Sequence, residues 1–231
     1  MMVGVISPYH SLTAWQHTGT LTPDMKRATL TTILCLALPV FGQQMPASPT
    51  SVRLHYALLN DTSGRTLWPN GIRQQVKLED EFLSAVIKPG ADFGSLVNFA
   101  DAYFLDVQNS TDPKNIEKRI IHDQRGGTGV WDAVVAAASY LDKYQVPDSK
   151  RAVFLFSDGD DDASRWPLAK VIKQVQAVHI PVFVIAPAAV EHKKQGKDLD
   201  KLATATGGHA YFIPKKADSF DFADLKRDLG R

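Results

Sequence analysis

Small oxygen-bearing side chains stand at three turns of this 231-residue chain. Asp61 and Ser63 follow an apolar run, and Asp158 follows another. Thr128 precedes an apolar helical stripe. Carboxylates and hydroxyls without His or Cys are hard ligands, which suit Mg²⁺, Mn²⁺ or Ca²⁺ better than zinc. Such a set leaves an octahedral ion with an open position that a partner's carboxylate can fill. The four side chains predict a divalent-cation site if the fold brings the turns together.

The elements around these turns indicate how they meet. The run from Leu54 to Asn60 is apolar and bounded by turn residues, which is typical of a buried parallel strand. Ala152–Phe156 reads in the same way and ends at Ser157 and Asp158. Ligands of open α/β sheets bind at the carboxyl ends of the strands. We therefore expect Asp61 and Asp158 to lie at one edge of a sheet.

Strands and helices alternate along the chain. The predicted strands are 54–60, 92–99, 102–107, 152–156, 181–186 and 210–213. The predicted helices are 72–87, 114–121, 130–141, 168–177, 198–206 and 220–229. This order predicts a Rossmann-like, doubly wound α/β fold with helices on both faces of a mostly parallel six-stranded sheet. The segment 102–107 is expected to be the one antiparallel edge strand.

Composition excludes some functions and predicts a single globular domain. The chain is 44% hydrophobic and 22% charged, which suits one α/β domain with a sizeable core. Its net charge is +1, so it has no general attraction to nucleic acid or anionic membranes. The sequence gives no indication of the oligomeric state.

The first part of the chain is predicted to lie outside the fold. A short basic segment at Met25 is followed by an apolar run that ends in small residues at Gly42, which is the pattern of a signal peptide. The run is too short for a comfortable membrane span, so no stable span is expected after cleavage. We predict an N-terminal extension at 1–24 preceding the true start, a signal peptide at 25–42, a linker at 43–51 and the domain at 52–231. An uncleaved anchor or a disordered tail is the alternative.

Export has two consequences. The predicted location is outside the cytoplasm, either secreted or in the periplasm and cell envelope. Cleavage after Gly42 would remove Cys35, the single cysteine, so the exported domain would rely on its core and not on disulfides.

The three turns together resemble a known site. Asp61-Thr62-Ser63-Gly64-Arg65, Thr128 and Asp158 match in order the metal-ion-dependent adhesion site of von Willebrand factor A (VWA) domains, which uses Asp-x-Ser-x-Ser, a distant Thr and a distant Asp. The chain is most similar to an exported bacterial group of VWA-related proteins common in acidobacteria. The segments 126–133, 156–161 and 202–208 carry that likeness, which covers about residues 52–225. The resemblance implies a site of Asp61, Ser63, Thr128 and Asp158 for Mg²⁺, with Mn²⁺ or Ca²⁺ as alternatives.

Arg65 is a departure from that pattern, because the second serine of the motif is normally a direct metal ligand. A guanidinium carries a permanent positive charge and cannot coordinate a cation. If Arg65 points inward, it repels the metal and can itself pair with Asp61 or Asp158. If it points to solvent, a water can replace the lost hydroxyl. Either arrangement predicts weakened or absent Mg²⁺ binding, and thus a degenerate site.

Other features of these turns have simpler interpretations. The run Asp158-Gly159-Asp160-Asp161-Asp162 begins like a Ca²⁺ loop, but Ala163 replaces the glycine of the sixth position and Ala169 the glutamate of the twelfth, which excludes an EF-hand. We interpret Asp160, Asp161 and Asp162 as a solvated acidic rim.

The residue pattern favours binding over catalysis. No nucleophile elbow, His/Ser pair or cofactor fingerprint is present. The predicted function is a non-catalytic protein-binding or adhesion module that recognises an acidic side chain of a protein ligand. One alternative is a metal-dependent phosphatase or hydrolase, for which the turns offer only His122 and Asp123 as further groups. A structural subunit of an envelope assembly is the other alternative.

Overall fold

The strand that ends in Asp61 lies at the centre of the fold. The computed structural model describes residues 52–64, 67–122, 126–215 and 219–231. The predicted extension, signal peptide and linker, as well as Arg65 and Asp123, lie outside the described residues. The strands are β1 (Arg53–Asp61), β2 (Phe93–Phe99), β3 (Tyr103–Ser110), β4 (Ser149–Phe156), β5 (Val182–Pro187) and β6 (Ala210–Ile213). They form one sheet in the order β3-β2-β1-β4-β5-β6.

The predicted fold class is confirmed. Five strands are parallel and β3 is an antiparallel edge strand. The chain turns from β1 to one side for β2 and later returns to the other side for β4, so the strand order reverses at β1. Ligands of open α/β sheets bind at the carboxyl ends of the strands beside such a switch point.

Helices cover both faces of the sheet. They are α1 (Ile72–Ala85), α2 (Pro113–Glu117), α3 (Val130–Lys143), α4 (Leu168–Ala177), α5 (Lys194–Thr206) and α6 (Ala223–Leu229), with a 3₁₀ turn at Ala188–Val190. Alternate residues of β1 point to opposite faces. Ala57 and Leu59 pack in the core under α3, α4 and α5. Leu58 packs in the other core, under α1, α2 and α6.

Several boundaries differ from the prediction. Helix α2 ends at Glu117 and not at 121, because backbone groups of the following segment bind buried side-chain amides, as described below. Helix α5 begins four residues early, at Lys194, and α6 begins three residues late, at Ala223. The predicted stop at Gly207 is confirmed, since this residue ends α5 in the left-handed conformation at φ 85°.

The edge strand β3 is longer than predicted. The predicted strand ends at 107, yet β3 continues to Ser110. Asn109 sits at φ 46°, a left-handed conformation that asparagine tolerates better than most residues. Its N–H donates to Ser95 Oγ at 3.0 Å, and its Oδ1 lies 2.8 Å from His55 Nε2. The pairing register between β2 and β3 shifts on either side of Leu96, so the outer strand is irregular.

Candidate functional site

Asp61 and Ser157 stand side by side where β1 and β4 end. The parallel register pairs Asn60 with Phe156, so the residues that follow them, Asp61 and Ser157, lie at the same level. Ser157 Oγ donates a hydrogen bond to Asp61 Oδ2 at 2.5 Å. The N–H of Ser63 donates to Asp61 Oδ1 at 2.9 Å, which folds the first loop back over its own carboxylate. Asp61 and Ser63 are both buried.

Asp158 is held by backbone amides of two loops. Its Oδ1 accepts the N–H of Asp160 at 3.1 Å, and its Oδ2 accepts the N–H of Leu67 at 2.6 Å. Leu67 belongs to the loop that begins at Asp61, so these bonds join the first and third loops. The side chain is 1% exposed.

Thr128 is tied to the segment that follows Asp158. Its N–H donates to Asp162 Oδ1 at 2.7 Å. Its carbonyl oxygen accepts the N–H groups of Asp162 and Ala163 at 3.0 and 2.9 Å. The second loop also contacts the first, since Gly64 N–H donates to Gly126 O at 3.3 Å. The structure therefore brings all three predicted loops, with Asp61, Ser63, Thr128 and Asp158, to one edge of the sheet.

Gly127 leaves space for the Asp162 carboxylate. A Cβ on Gly127 would stand 2.6 Å from Asp162 Oδ1, closer than real Cβ contacts. A side chain at position 127 would therefore have to displace the carboxylate that accepts the Thr128 N–H.

Two of the acidic-rim residues do more than face solvent. Asp162 Oδ1 binds the second loop, as described, and Asp161 Oδ1 accepts a hydrogen bond from Ser164 Oγ at 2.5 Å. Ser164 Oγ in turn accepts the N–H of Trp131 at 3.0 Å in the first turn of α3. Asp160 and Asp162 are exposed and Asp161 is half-buried, so these residues face solvent as expected, but Asp161 and Asp162 also join two loops, which the sequence did not predict.

The two predicted carboxylate ligands are poorly suited to carry charge without a counter-ion. Burial raises the pKa of Asp61 to about 6, against the opposing hydrogen bonds from Ser157 and Ser63, and the negative charge of Asp158 raises it further. Burial also raises the pKa of Asp158, although bonds from the Asp160 and Leu67 amides and the charge of Lys193 oppose the shift. A cation between the two would offset this cost.

The donor chemistry fits a hard divalent cation. Among the residues that the structure describes, no three His, Cys, Asp or Glu side chains gather into a metal-binding group. A cation here would need the hydroxyls of Ser63 and Thr128 and water in addition to the carboxylates of Asp61 and Asp158. The direction of Arg65 lies outside the described residues, so both of its predicted arrangements remain predictions.

A buried amide beneath Asp61 was missed by the sequence analysis. Gln75 of α1 donates through Nε2 to Asn60 Oδ1 at 2.8 Å, to Asp61 O at 3.0 Å and to Glu79 Oε1 at 3.2 Å. Glu79 is fully buried, and burial raises its pKa well above the ordinary value, helped by the charges of Asp80 and Asp61. The available signal was the pair of polar residues, Gln75 and Glu79, one turn apart on the inward face of α1.

A second amide extends this network toward the loop before Thr128. Asn60 Nδ2 donates to Asn98 Oδ1 at 2.6 Å and to Ile121 O at 3.1 Å. Asn98 Oδ1 also accepts the N–H of Ile121 at 3.2 Å, and its Nδ2 donates to Asp106 Oδ2 and Arg119 O at 2.6 and 3.0 Å. The network fixes the chain that leads toward the second loop.

The turn between β2 and β3 forms a fourth loop at the same edge. Gly129 N–H donates to Ala100 O at 2.6 Å, so the turn contacts the start of α3. A cavity of about 460 Å³ lies beside it, lined in part by Thr62, Phe104 and Ile121. Sequence analysis predicted the turn but not its place beside the site.

His122 does not join the carboxylates as a general base. Its side chain is exposed, and its charge acts on Asp80 of α1. The enzymatic alternative therefore gains no support from this residue. Among the described residues, no helix has the length and apolar character needed to span a membrane.

Comparison with known proteins gives distant sequence matches and clear structural ones. No protein-family model matches the chain. The calcium-activated chloride channel regulator 3A-1 of Mus musculus is 22% identical over 193 residues, which cover 79% of this chain and 20% of that protein. The chain thus spans about a fifth of the length of this curated relative.

Three solved bacterial structures share the fold. An aerotolerance-related membrane protein from Bacteroides fragilis has a TM-score of 0.56 at 15% identity, covering 78% of this chain and 96% of that one. A von Willebrand factor type A protein from Catenulispora acidiphila has a TM-score of 0.52 at 18% identity, covering 78% and 41%. The vWF domain of the type V pili tip protein Mfa5 from Porphyromonas gingivalis has a TM-score of 0.56 at 9% identity, covering 78% and 95%.

Proposed function

Given that this chain has the fold of a von Willebrand factor A domain, we propose that it is a non-enzymatic protein-binding or adhesion module. Its binding centre is the edge of the sheet where Asp61, Ser63, Thr128 and Asp158 gather. The observation that carries the proposal is the burial of Asp61 and Asp158 beside each other, with the pKa of both carboxyls raised. Such a pair is a ready site for a cation and a costly arrangement without one.

The cation is Mg²⁺, with Mn²⁺ and Ca²⁺ as alternatives, and its role is to present an open coordination position to an acidic side chain of a partner protein. Arg65 stands where the motif has its second serine, so the affinity for the cation is lower than a complete ligand set would give. The proposal includes export, because the sequence before the domain has the pattern of a signal peptide. Structurally similar proteins include a pili tip protein and a membrane protein, which fits a role at the cell envelope.

Titration with Mn²⁺ followed by NMR tests the cation site directly. The paramagnetic ion should broaden the amide signals of Ser63, Thr128 and Gly159 first, and Mg²⁺ should compete for the same site. Asp158→Asn should abolish the effect because it removes one of two carboxylate ligands. Asp160→Asn is the matched control, since it removes an equal charge from an exposed neighbour. Broadening confined to surface carboxylates elsewhere, or unchanged in Asp158→Asn, would contradict the proposed site.

A phosphatase screen with Mg²⁺ separates the proposed function from the enzymatic alternative. We expect no turnover of phosphomonoesters above the background of the Asp158→Asn variant. Turnover that the wild type supports and Asp158→Asn lacks would instead make the protein a metal-dependent hydrolase.

A further inference from the structure

Exposed apolar side chains gather around the candidate cation site. Among the described residues, the large apolar side chains that are more than a third exposed are Val52, Leu67, Tyr103, Phe104, Ile121 and Tyr144. Leu67 follows the first loop, Tyr103 and Phe104 begin β3 at the fourth loop, and Ile121 precedes the second loop. Clustering of this kind on a soluble domain marks an interaction surface more often than scattered exposure does.

Two of these side chains line one cavity. The cavity has a volume of about 460 Å³, and its walls include Phe104 and Ile121, which are 62% and 40% exposed. Thr62 contributes to its lining, and Thr62 lies between Asp61 and Ser63 in the chain. Thr62 therefore links the lining of the cavity to two of the candidate cation ligands along the chain.

The lining of the cavity is held in place before any partner arrives. Thr62 donates twice to Phe99 O, from its N–H at 2.8 Å and from Oγ1 at 2.9 Å. The backbone of Ile121 is bound by Asn60 and Asn98. A preformed apolar cavity costs little ordering energy when a side chain enters it.

The charges around the cavity decide what enters it. Among the described residues of its lining, Asp101 alone is charged, and its charge is negative. The negative charge of Asp101 disfavours an acidic side chain in the cavity. We therefore expect the acidic side chain of the partner at the cation site.

We propose that this cavity is the second half of the partner site and takes a large apolar side chain that lies within a few residues of the partner's acidic residue. The inference rests on the proposed function, because the bound cation fixes where the acidic residue sits. The partner is accordingly a protein with an exposed acidic residue flanked by an aromatic or aliphatic one.

Short capped peptides test this pairing in the presence of saturating Mg²⁺. The reference peptide carries one Asp among glycines, and each test peptide replaces one of the glycines near the Asp with Phe. We expect at least one test peptide to bind about tenfold more tightly than the reference, since burial of part of a phenyl ring is worth that much. Affinities are measured by calorimetry or by NMR shifts of Phe104 and Ile121.

Variants of the cavity then show whether the higher affinity of the Phe peptide depends on Phe104 and Ile121. Phe104→Ser and Ile121→Ser should each reduce the advantage of the Phe peptide and leave the affinity of the reference peptide unchanged. Both side chains are exposed enough for the variants to fold, which circular dichroism verifies. Tyr144→Ser is the matched control: its side chain is 47% exposed, but it follows the far end of α3, about 20 Å from Thr128.

The failures of the two proposals are distinguishable. Equal affinity of all peptides, or a Phe advantage that survives both cavity variants, overturns the inference and leaves the cation site standing. Cation binding without affinity for any peptide does the same. Absence of Mg²⁺ binding, measured without peptide, defeats the proposed function and the inference with it. Self-association of the chain that Phe104→Ser abolishes would assign the cavity to a second copy and also overturn the inference.

Discussion

The carboxylate of Asp162 accepts the backbone N–H of Thr128 at 2.7 Å, so the loop after β4 holds the loop that begins α3. The backbone of the same segment donates twice to the carbonyl oxygen of Thr128. Both backbone polar groups of Thr128 are therefore fixed by a segment that starts four residues after Asp158. This contact sets the relative position of two predicted cation ligands.

Removal of the Asp162 carboxylate should weaken cation binding without removing a ligand. We expect Asp162→Ala to lower Mg²⁺ affinity several-fold and to cost about 1–2 kcal/mol of unfolding free energy, because the N–H of Thr128 loses a charged acceptor. Asp162→Asn keeps an acceptor oxygen and should recover most of the stability. Calorimetric titration and urea unfolding measure the two effects. Asp160→Ala is the control of equal charge, and an identical loss of affinity there would mean that charge alone acts.

Substitution of Gly127 should lower the unfolding free energy by disturbing the same contact between Asp162 and Thr128. A Cβ at this position meets Asp162 Oδ1 at 2.6 Å, so Gly127→Ala must displace the carboxylate. We expect a loss of about 1–3 kcal/mol by urea unfolding. In a double-mutant cycle, Gly127→Ala combined with Asp162→Ala should cost clearly less than the sum of the single changes. Strict additivity would show that the two residues do not interact.

Stability of the cation-free protein should decrease as pH rises through the titration of Asp61. Burial raises the pKa of this carboxyl from 3.8 to about 6, so the folded protein holds the proton more tightly than the unfolded chain does. The cost of the buried charge is therefore fully present above about pH 6 and is relieved as the pH falls toward about 4. Its size is on the order of 1–3 kcal/mol.

The variant Asp61→Asn isolates this contribution from the raised pKa values of Asp158 and Glu79, which act with the same sign. With EDTA present, Asp61→Asn should be more stable than the wild type near neutral pH and should depend less on pH. Urea unfolding at about pH 5 and about pH 7.5 gives the comparison. A wild type that gains stability over this interval relative to the variant would contradict the expectation.

Replacement of Arg65 should strengthen cation binding. Arg65→Ser restores the hydroxyl that the VWA motif carries at this position and removes a positive charge, so Mg²⁺ affinity should rise by about tenfold or more. Arg65→Lys keeps the charge and supplies no hydroxyl, and it should show no gain. Calorimetric titration of the wild type and the two variants with Mg²⁺ tests this prediction. Tight binding to the wild type with no improvement in Arg65→Ser would mean that the position is not part of the site.

Disruption of the buried amide network should destabilise the fold around the second loop. Asn98→Leu removes one of two acceptors of Asn60 Nδ2, the acceptor of the Ile121 N–H and the donor to Arg119 O, at a cost of about 2–4 kcal/mol. Hydrogen exchange should show lost protection in 119–122 before the rest of the sheet. Asn115→Leu is the control, since its amide is exposed on α2 and bonds only Ser110 Oγ among the described contacts. Equal losses of stability and of hydrogen-exchange protection in both variants would contradict the stabilising role of the network.

Much of the fold could be predicted from the sequence because the local residue patterns agree with the tertiary structure. The apolar run before Asp61 and the apolar run before Ser157 each form a central parallel strand, as predicted. Helix α2 begins at Pro113, one residue before the predicted start, and the side chain of Asp112 caps the N–H of Lys114. The VWA resemblance read from the loops is confirmed at the level of the fold.

The errors occurred where side chains bind backbone groups far away in sequence. Helix α2 was expected to continue to 121. Instead, the Asn98 side chain donates to the carbonyl of Arg119 and accepts the N–H of Ile121. The edge strand was expected to end at 107, yet hydrogen bonds to Ser95 and His55 hold Asn109 within β3. The role of Asp162 was missed for the same reason. A local pattern cannot show these contacts, whose partners lie from 14 to 54 positions away in the sequence.

The irregular edge of the sheet has a consequence for handling the molecule. β3 leaves one row of backbone groups unpaired, and neither lysine nor proline interrupts the strand. The left-handed Asn109 and the shifts around Leu96 bend this row, so a flat strand from another molecule can match only part of its length. Concentrated samples should therefore resist growth into continuous fibrils, even though β3 is an edge strand with unpaired backbone groups.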